Sequence, residues 1–185
     1  IHNIKVNFIA VDDGSHDNTV KLLKKEQQNK QDFHLIKLSR NFGAVYSLQA
    51  GIEYAESILS DAVVYLASDM QDPPELITPM VEQWLSGNKF IISVRKKRDD
   101  PVLTKCFSWL YYKLFTKFII KNFPKKGFDM MLLDKQVLAE FIGCNEKNFT
   151  PQQLVFWLGF EPHIIEYDRK KRAAGKSTWT FSKKF

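Results

Sequence analysis

The sequence predicts an α/β domain built on a parallel sheet, and three observations carry that prediction. Short runs rich in β-branched and aromatic residues recur along the first half of the chain, bounded by turn residues. Amphipathic stretches at helical spacing fill the intervals between them. Two of the runs end in clusters of acidic and amide side chains, at the place where α/β sheets bind ligands.

The elements follow in order. Val6 to Val11, His34 to Leu38, Ala62 to Ala67 and Phe90 to Val94 read as buried strands. Thr19 to Gln28, Ala44 to Leu59 and Glu75 to Ser86 read as the helices between them. In the second of these, Val45, Leu48, Ile52, Ala55 and Leu59 fall on one face and are expected to be its buried stripe. Strand and helix in alternation imply parallel strands joined by right-handed crossovers. The pattern changes at about residue 102. Val102 to Phe123 is a long helical stretch crowded with aromatics and interleaved with Lys105, Lys113, Lys117 and Lys121. That mixture suits a helix lying in a membrane interface, and equally a core helix with snorkelling lysines.

Composition bounds the class. The chain has 185 residues, enough for one domain with its own core, and 44% hydrophobic against 26% charged residues is the balance of a folded globular protein. No run of eighteen apolar residues is present, so nothing in this segment reads as a transmembrane helix, and no signal peptide is visible. The two cysteines, Cys106 and Cys144, lie far apart and outside metal-ligand spacing, which suits a reducing compartment. The net charge of +6 is concentrated in Arg95 to Arg98 and in Arg169 to Arg172 with Lys176, Lys183 and Lys184. Such blocks suit phosphates, anionic lipid or nucleic acid, and also occur as plain solvated faces.

The chemistry concentrates at the strand ends. Asp12-Asp13-Gly14-Ser15 places adjacent carboxylates before a turn that glycine permits, where they can accept hydrogen bonds from a nucleobase or from ribose hydroxyls. Asp17 is expected to cap the following helix, leaving Asp13 for ligand. The segment Asp69-Met70-Gln71-Asp72-Pro73-Pro74-Glu75 offers hard oxygen ligands from a short stiff segment, with Asp69 and Gln71 able to share one divalent cation. The two prolines stop the strand, and Glu75 places a negative charge at a helix start. Read without a cation, the same segment is an acidic turn that opens a helix.

These strings, together with Leu38-Ser39-Arg40-Asn41-Phe42-Gly43, resemble the family 2 glycosyltransferases, and most closely the branch that glycosylates polyprenyl or dolichyl phosphate. The resemblance runs in order over about residues 6 to 184. It implies a GT-A fold, a Rossmann-like parallel-sheet nucleotide-sugar-binding architecture, here without its first strand. It also implies an enzyme that uses a nucleotide-diphosphate sugar and Mg2+ or Mn2+ and inverts the anomeric centre. On the resemblance, Asp12, Asp13, Asn41 and Asp69 bind donor, with Asp13 the nucleoside carboxylate, and Asp69 and Gln71 hold the metal. The family's Asp-Ala-Asp reads Ala67-Ser68-Asp69 in this chain, so its first carboxylate is replaced by Ala67.

Further along, Lys126 to Asp134 resembles the acceptor side of this branch, with Asp129 as the carboxylate that orients the attacking oxygen and Asp134 as its rival or as a helix cap. The segment from Arg169 to Lys184 resembles a loop that precedes membrane helices, in which Arg169, Arg172, Lys176 and Ser177 bind the acceptor phosphate or the donor diphosphate. Arg172 is the second residue expected to act on the reaction itself.

The expectation is therefore one catalytic domain over residues 1–185, trimmed at both ends, with membrane helices after residue 185. It would work at the cytoplasmic face of a membrane, the segment itself being soluble, and homo-oligomers are compatible with it. A soluble family 2 enzyme acting on a glycan and a non-catalytic phosphoacceptor α/β domain are the alternatives. Nucleic acid is not an expected partner, because acidic strand ends repel phosphate backbones.

Overall fold

In the computed structural model the described residues are 4–96, 113, 116, 120, 123–124, 127–144, 146 and 149–168. The expected helix from Val102 to Phe123 and the basic segment from Arg169 to Lys184 therefore lie outside the described residues, apart from isolated positions of the former. The elements run β1 (Phe8–Asp12), α1 (Thr19–Asn29), β2 (Phe33–Lys37), α2 (Ala44–Ser57), β3 (Ala62–Tyr65), a 3-10 turn (Pro74–Leu76), α3 (Ile77–Leu85), β4 (Phe90–Arg95), β5 (Met130–Asp134), α4 (Lys135–Gly143), α5 (Pro151–Trp157) and β6 (His163–Tyr167). The chain forms two compact units, residues 1–63 with 134–159 and residues 64–133 with 160–185.

In the first unit β1 and β2 are parallel, Phe8 opposite Phe33 and Asp12 opposite Lys37. The helices α1 and α2 pack on these strands, and α4 and α5 pack on α2. Leu48, Ile52 and Ala55 of α2 are buried, as their spacing predicts. Val45 and Leu59 are not: Val45 is exposed and Leu59 is 87% exposed. The reason for Leu59 is that α2 ends two residues earlier. The Leu59 N–H donates to the Glu56 carbonyl and the Ser60 N–H to the Ala55 carbonyl, with Leu59 at φ 56°. This is the Schellman termination, in which the residue after the cap turns left-handed and its side chain leaves the helix face. The helix α3 ends in the same way, with glycine at the left-handed position: the Gly87 N–H donates to the Trp84 carbonyl and the Asn88 N–H to that of Gln83.

The second sheet has the order β3-β5-β4-β6. β6 lies parallel to β4, with Arg95 opposite Tyr167, while β5 runs antiparallel to β4, with Ser93 opposite Met130. The expectation of parallel strands holds for β1–β2 and β4–β6 and gives way at β5, beyond the point where strand and helix cease to alternate. Phe90, Ile91, Ile92, Met130, Met131, Leu132 and Leu133 are each at most 1% exposed, so these central strands are apolar on both faces. β6 shows the half-exposed alternation of an edge strand and ends on buried Tyr167. The expected helix Glu75 to Ser86 divides into the 3-10 turn at Pro74–Leu76 and α3, because Pro79 has no N–H to donate to the Glu75 carbonyl four residues back, so a regular α-helix does not run through from Glu75.

Candidate functional site

In the first unit the carboxyl ends of β1 and β2 are locked together by their loops. Asp12 is 3% exposed, and its carboxylate accepts the Ser15 N–H at 3.2 and 3.4 Å, which closes the turn after β1. Asp13 reaches across to the next loop. Its two oxygens accept the N–H groups of Phe42 (2.7 Å) and Gly43 (2.8 Å), immediately before α2. A carboxylate at a helix N-terminus satisfies donors that have no partner within the helix. Each oxygen keeps lone-pair capacity for a further donor. The predicted donor residue Asn41 is exposed beside this bond. Asp17 accepts the Thr19 N–H at 2.9 Å in a local turn, and hydrogen bonds from Thr19 hold its carboxyl below the usual range. The N-cap position of α1 is Asn18, which makes no side-chain cap bond, so Asp17 stands one residue before the cap expected of it.

The approach of the two loops has no room for a side chain at position 14. A Cβ on Gly14, which sits at φ +74°, would lie 2.6 Å from both the carbonyl carbon of Arg40 and the amide nitrogen of Asn41. Outside this contact the Arg40 guanidinium stacks over the Phe42 ring at 4.7 Å, and Phe42 meets Tyr46 edge-on at 6.1 Å. Both rings are exposed.

The second unit gathers charge at one end of its strands. Arg95 ends β4 and Tyr167 ends the parallel neighbour β6, while Asp129 leads into antiparallel β5, so all three lie at the same end of the strands. Asp129 and Arg95 form a two-armed ion pair: the Arg95 Nε donates to Oδ2 at 2.5 Å, and Nη2 makes a shorter contact with Oδ1. The Tyr167 hydroxyl donates to Asp129 Oδ2 at 2.9 Å and to Asp72 Oδ1 at 2.5 Å. Asp72 is 1% exposed and belongs to the predicted metal segment. Within that segment the Asp69 carboxylate accepts the Gln71 N–H at 3.1 Å, and Met70 between them adopts φ 56°. The predicted residues Asp69, Gln71 and Asp129 therefore share the second unit, and Asp12, Asp13 and Asn41 share the first. Arg169, Arg172, Lys176 and Ser177 lie outside the described residues.

The electrostatics follow from that cluster. Burial works against the charge on Arg95, but the Asp129 bond outweighs it and holds the guanidinium above its ordinary value. Burial first, and then the hydrogen bonds and charges of Asp72 and Asp129, push the Tyr167 phenol far above the usual tyrosine range. Tyr65, at the end of β3, is raised by burial and then by Asp72, Asp69 and Asp129. Both phenols are thus kept protonated beside carboxylates, and Tyr167 is the one that donates to them. Sequence reasoning missed Arg95, Asp72, Tyr65 and Tyr167 as site residues. Arg95 was hidden in a basic block. The signal for Tyr167 and Tyr65 is their position at strand carboxyl ends.

Among the described residues no group of three or more His, Cys, Asp and Glu side chains is placed to hold a metal ion. Asp69 and Gln71 supply one carboxylate and one amide oxygen, half-buried on one turn. That donor set fits a hard cation of the Mg2+ type, which keeps several waters and takes its remaining ligands from substrate phosphates.

The model of the glycosyl transferase family 2 matches residues 3–145. The chain belongs to that family, and its α/β architecture with parallel strand pairs is the GT-A type expected of it. It is 33% identical to the uncharacterized glycosyltransferase YkcC of Bacillus subtilis, over 95% of this chain and 54% of that protein. It is 32% identical to an uncharacterized glycosyltransferase of Synechocystis sp., over 97% of this chain and 56% of that one. It is 28% identical to the bactoprenol glucosyl transferase of Shigella phage SfV, over 94% of this chain and 56% of the relative. The chain thus spans about half the length of the curated relatives it matches.

Proposed function

We propose that the protein transfers a sugar from a nucleotide-diphosphate sugar to a polyprenyl phosphate at the cytosolic face of a membrane, with inversion and with the help of Mg2+ or Mn2+. The observation that carries this reading is the Asp69–Gln71 turn, tied through Asp72 and Tyr167 to the Asp129–Arg95 pair at the carboxyl ends of β4 and β6. A relative named for bactoprenol glucosyl transfer, matched over most of this chain, supports the choice of acceptor.

In the mechanism each residue has a defined task. Asp13, oriented by the Phe42 and Gly43 amides, offers its remaining lone pairs to the nucleoside. Asp69 and Gln71 would hold the cation, which when bound neutralises diphosphate charge as the bond to the leaving group breaks. Arg95, oriented by Asp129, presents its remaining N–H groups as donors for anionic oxygen. Arg169, Arg172, Lys176 and Ser177 would grip the acceptor phosphate. Its oxygen is already ionised, so the attack on the anomeric carbon needs little from a base. Asp129, engaged by a guanidinium and a phenol, orients more than it abstracts. Positioning and electrostatics then supply most of the acceleration.

The test is transfer of radiolabelled sugar from a panel of nucleotide sugars to a short polyprenyl phosphate, with and without Mn2+. Asp69→Ala is expected to abolish Mn2+-dependent nucleotide-diphosphate binding in calorimetry, and Arg172→Ala to cut transfer while sparing that binding. Unchanged affinity in Asp69→Ala would refute the metal assignment, and transfer to glycans but not to the lipid would refute the acceptor.

A further inference from the structure

We propose that Tyr167 is a positioning residue for the transfer: its hydroxyl links Asp72 of the metal-type turn to Asp129 and so sets where the Asp129–Arg95 pair stands. The inference rests on the transfer reading above and adds a residue that neither the family match nor the resemblance assigns. Tyr167 is 4% exposed and ends β6 directly opposite Arg95 in register. Its single O–H lies 2.5 Å from Asp72 Oδ1 and 2.9 Å from Asp129 Oδ2. Two carboxylates therefore share one proton donor, and neither can move away from the phenol without weakening a bond to a charged acceptor.

The two sides of this link are held unequally. The turn carrying Asp72 is also fixed by the Gln71 N–H on Asp69, by Pro73 and Pro74, and by the 3-10 turn at Pro74–Leu76 that leads into α3. The Asp129 side chain, two residues after Gly127 at φ 66°, is bonded by Arg95 and Tyr167. Loss of the hydroxyl should therefore free the Asp129–Arg95 pair and leave the nucleotide-diphosphate side in place. That is a loss in kcat, with the donor KM held.

Tyr167→Phe keeps the buried ring and removes the O–H. Removing one hydrogen bond to charged groups predicts a fall in kcat of about ten- to a hundredfold. The donor KM and the calorimetric affinity for nucleotide diphosphate with Mn2+ should stay within about twofold. Because Tyr167 acts through Asp129, the double variant Tyr167→Phe with Asp129→Asn should lose no more than the worse single variant. As a second variant, 4-aminophenylalanine at position 167 restores N–H donors on the same ring and should recover most of kcat. Wild-type kcat in Tyr167→Phe overturns the proposal. So does an equal loss in kcat and nucleotide affinity, or full additivity with Asp129→Asn. If Tyr167→Phe does not fold, a folded 4-aminophenylalanine protein with wild-type nucleotide binding but no recovered turnover overturns it. If the unaltered protein moves no sugar to any acceptor, the transfer reading fails instead, which is a separate result.

Discussion

Gly14→Ala measures how tightly the two loops of the first unit are locked. The new Cβ would meet two backbone atoms at 2.6 Å, one from Arg40 and one from Asn41, and neither can rotate away as a side chain would. Holding a non-glycine residue left-handed costs about 1–2 kcal/mol. The Arg40–Gly43 loop must also retreat, which stretches the bonds from Phe42 and Gly43 to Asp13. Weakening these by the worth of one hydrogen bond to a charged group adds about 2 kcal/mol. The sum is about 3–4 kcal/mol, or a melting temperature lower by about 6–16 °C for a chain of this size. Gly159→Ala is the control. Gly159 is left-handed at φ +88° with nothing within 4 Å of its Cβ, so only the conformational term applies. That term amounts to about 1–2 kcal/mol. Thermal unfolding by circular dichroism gives the two shifts, and hydrogen exchange locates the damage. The Phe42 and Gly43 amides should lose protection in Gly14→Ala and keep it in Gly159→Ala. Equal melting temperatures for the two variants, or intact protection at Phe42 and Gly43, would refute the backbone-contact argument.

Other perturbations follow from the same geometry. Leu59→Gly should stabilise by about 1 kcal/mol, seen as a melting temperature raised by about 2–4 °C, because a left-handed and 87% exposed leucine gives nothing back for its strain. Thr150→Ala should cost about 1 kcal/mol in denaturant unfolding, since Thr150 Oγ1 accepts the Gln153 N–H and Gln153 Oε1 accepts the Thr150 N–H at the start of α5. Lys135→Ala breaks an ion pair with Asp61 whose side chains are 65% and 69% exposed, and should leave the melting temperature where it is in the wild type, since water and salt screen such a pair. In pH terms, Tyr65 and Tyr167 bind their protons more tightly folded than unfolded. Their stabilisation is complete below the ordinary tyrosine value of about 10 and declines as pH rises above it. A denaturation series across that range should show a steeper alkaline fall for the wild type than for Tyr167→Phe.

Much of this was legible in the sequence because local chemistry dictated it. The apolar runs and helical stripes locate β1 to β4 and α1 to α3 to within a few residues, and Asp134 caps its helix as a short acidic side chain does. What escaped was non-local. Asp13 is a strand-end carboxylate in the sequence, but its partners are amides 29 and 30 positions away. Met130 to Asp134 is a short apolar run that local signals do not place as an antiparallel strand inside the sheet. Arg95 reads as one of four consecutive basic residues, and only the fold turns it onto Asp129. Tyr167 is an unremarked aromatic until β6 pairs with β4 and carries it to Asp72. The Thr-Pro-Gln-Gln capping signature at Thr150 was local and readable, and was passed over.

The Gly14 contact also bears on how members of this family could be recombined. The turn after β1 and the loop after β2 meet backbone to backbone, with Asp13 bonded across the joint. A relative's first loop grafted alone would bring its own turn shape against Arg40 and Asn41 without the matching retreat. Transplanting residues 12–17 together with 40–43 exchanges both halves of the joint, so in such chimeras the joint should close, and the fold keep its stability, only when the pair moves together.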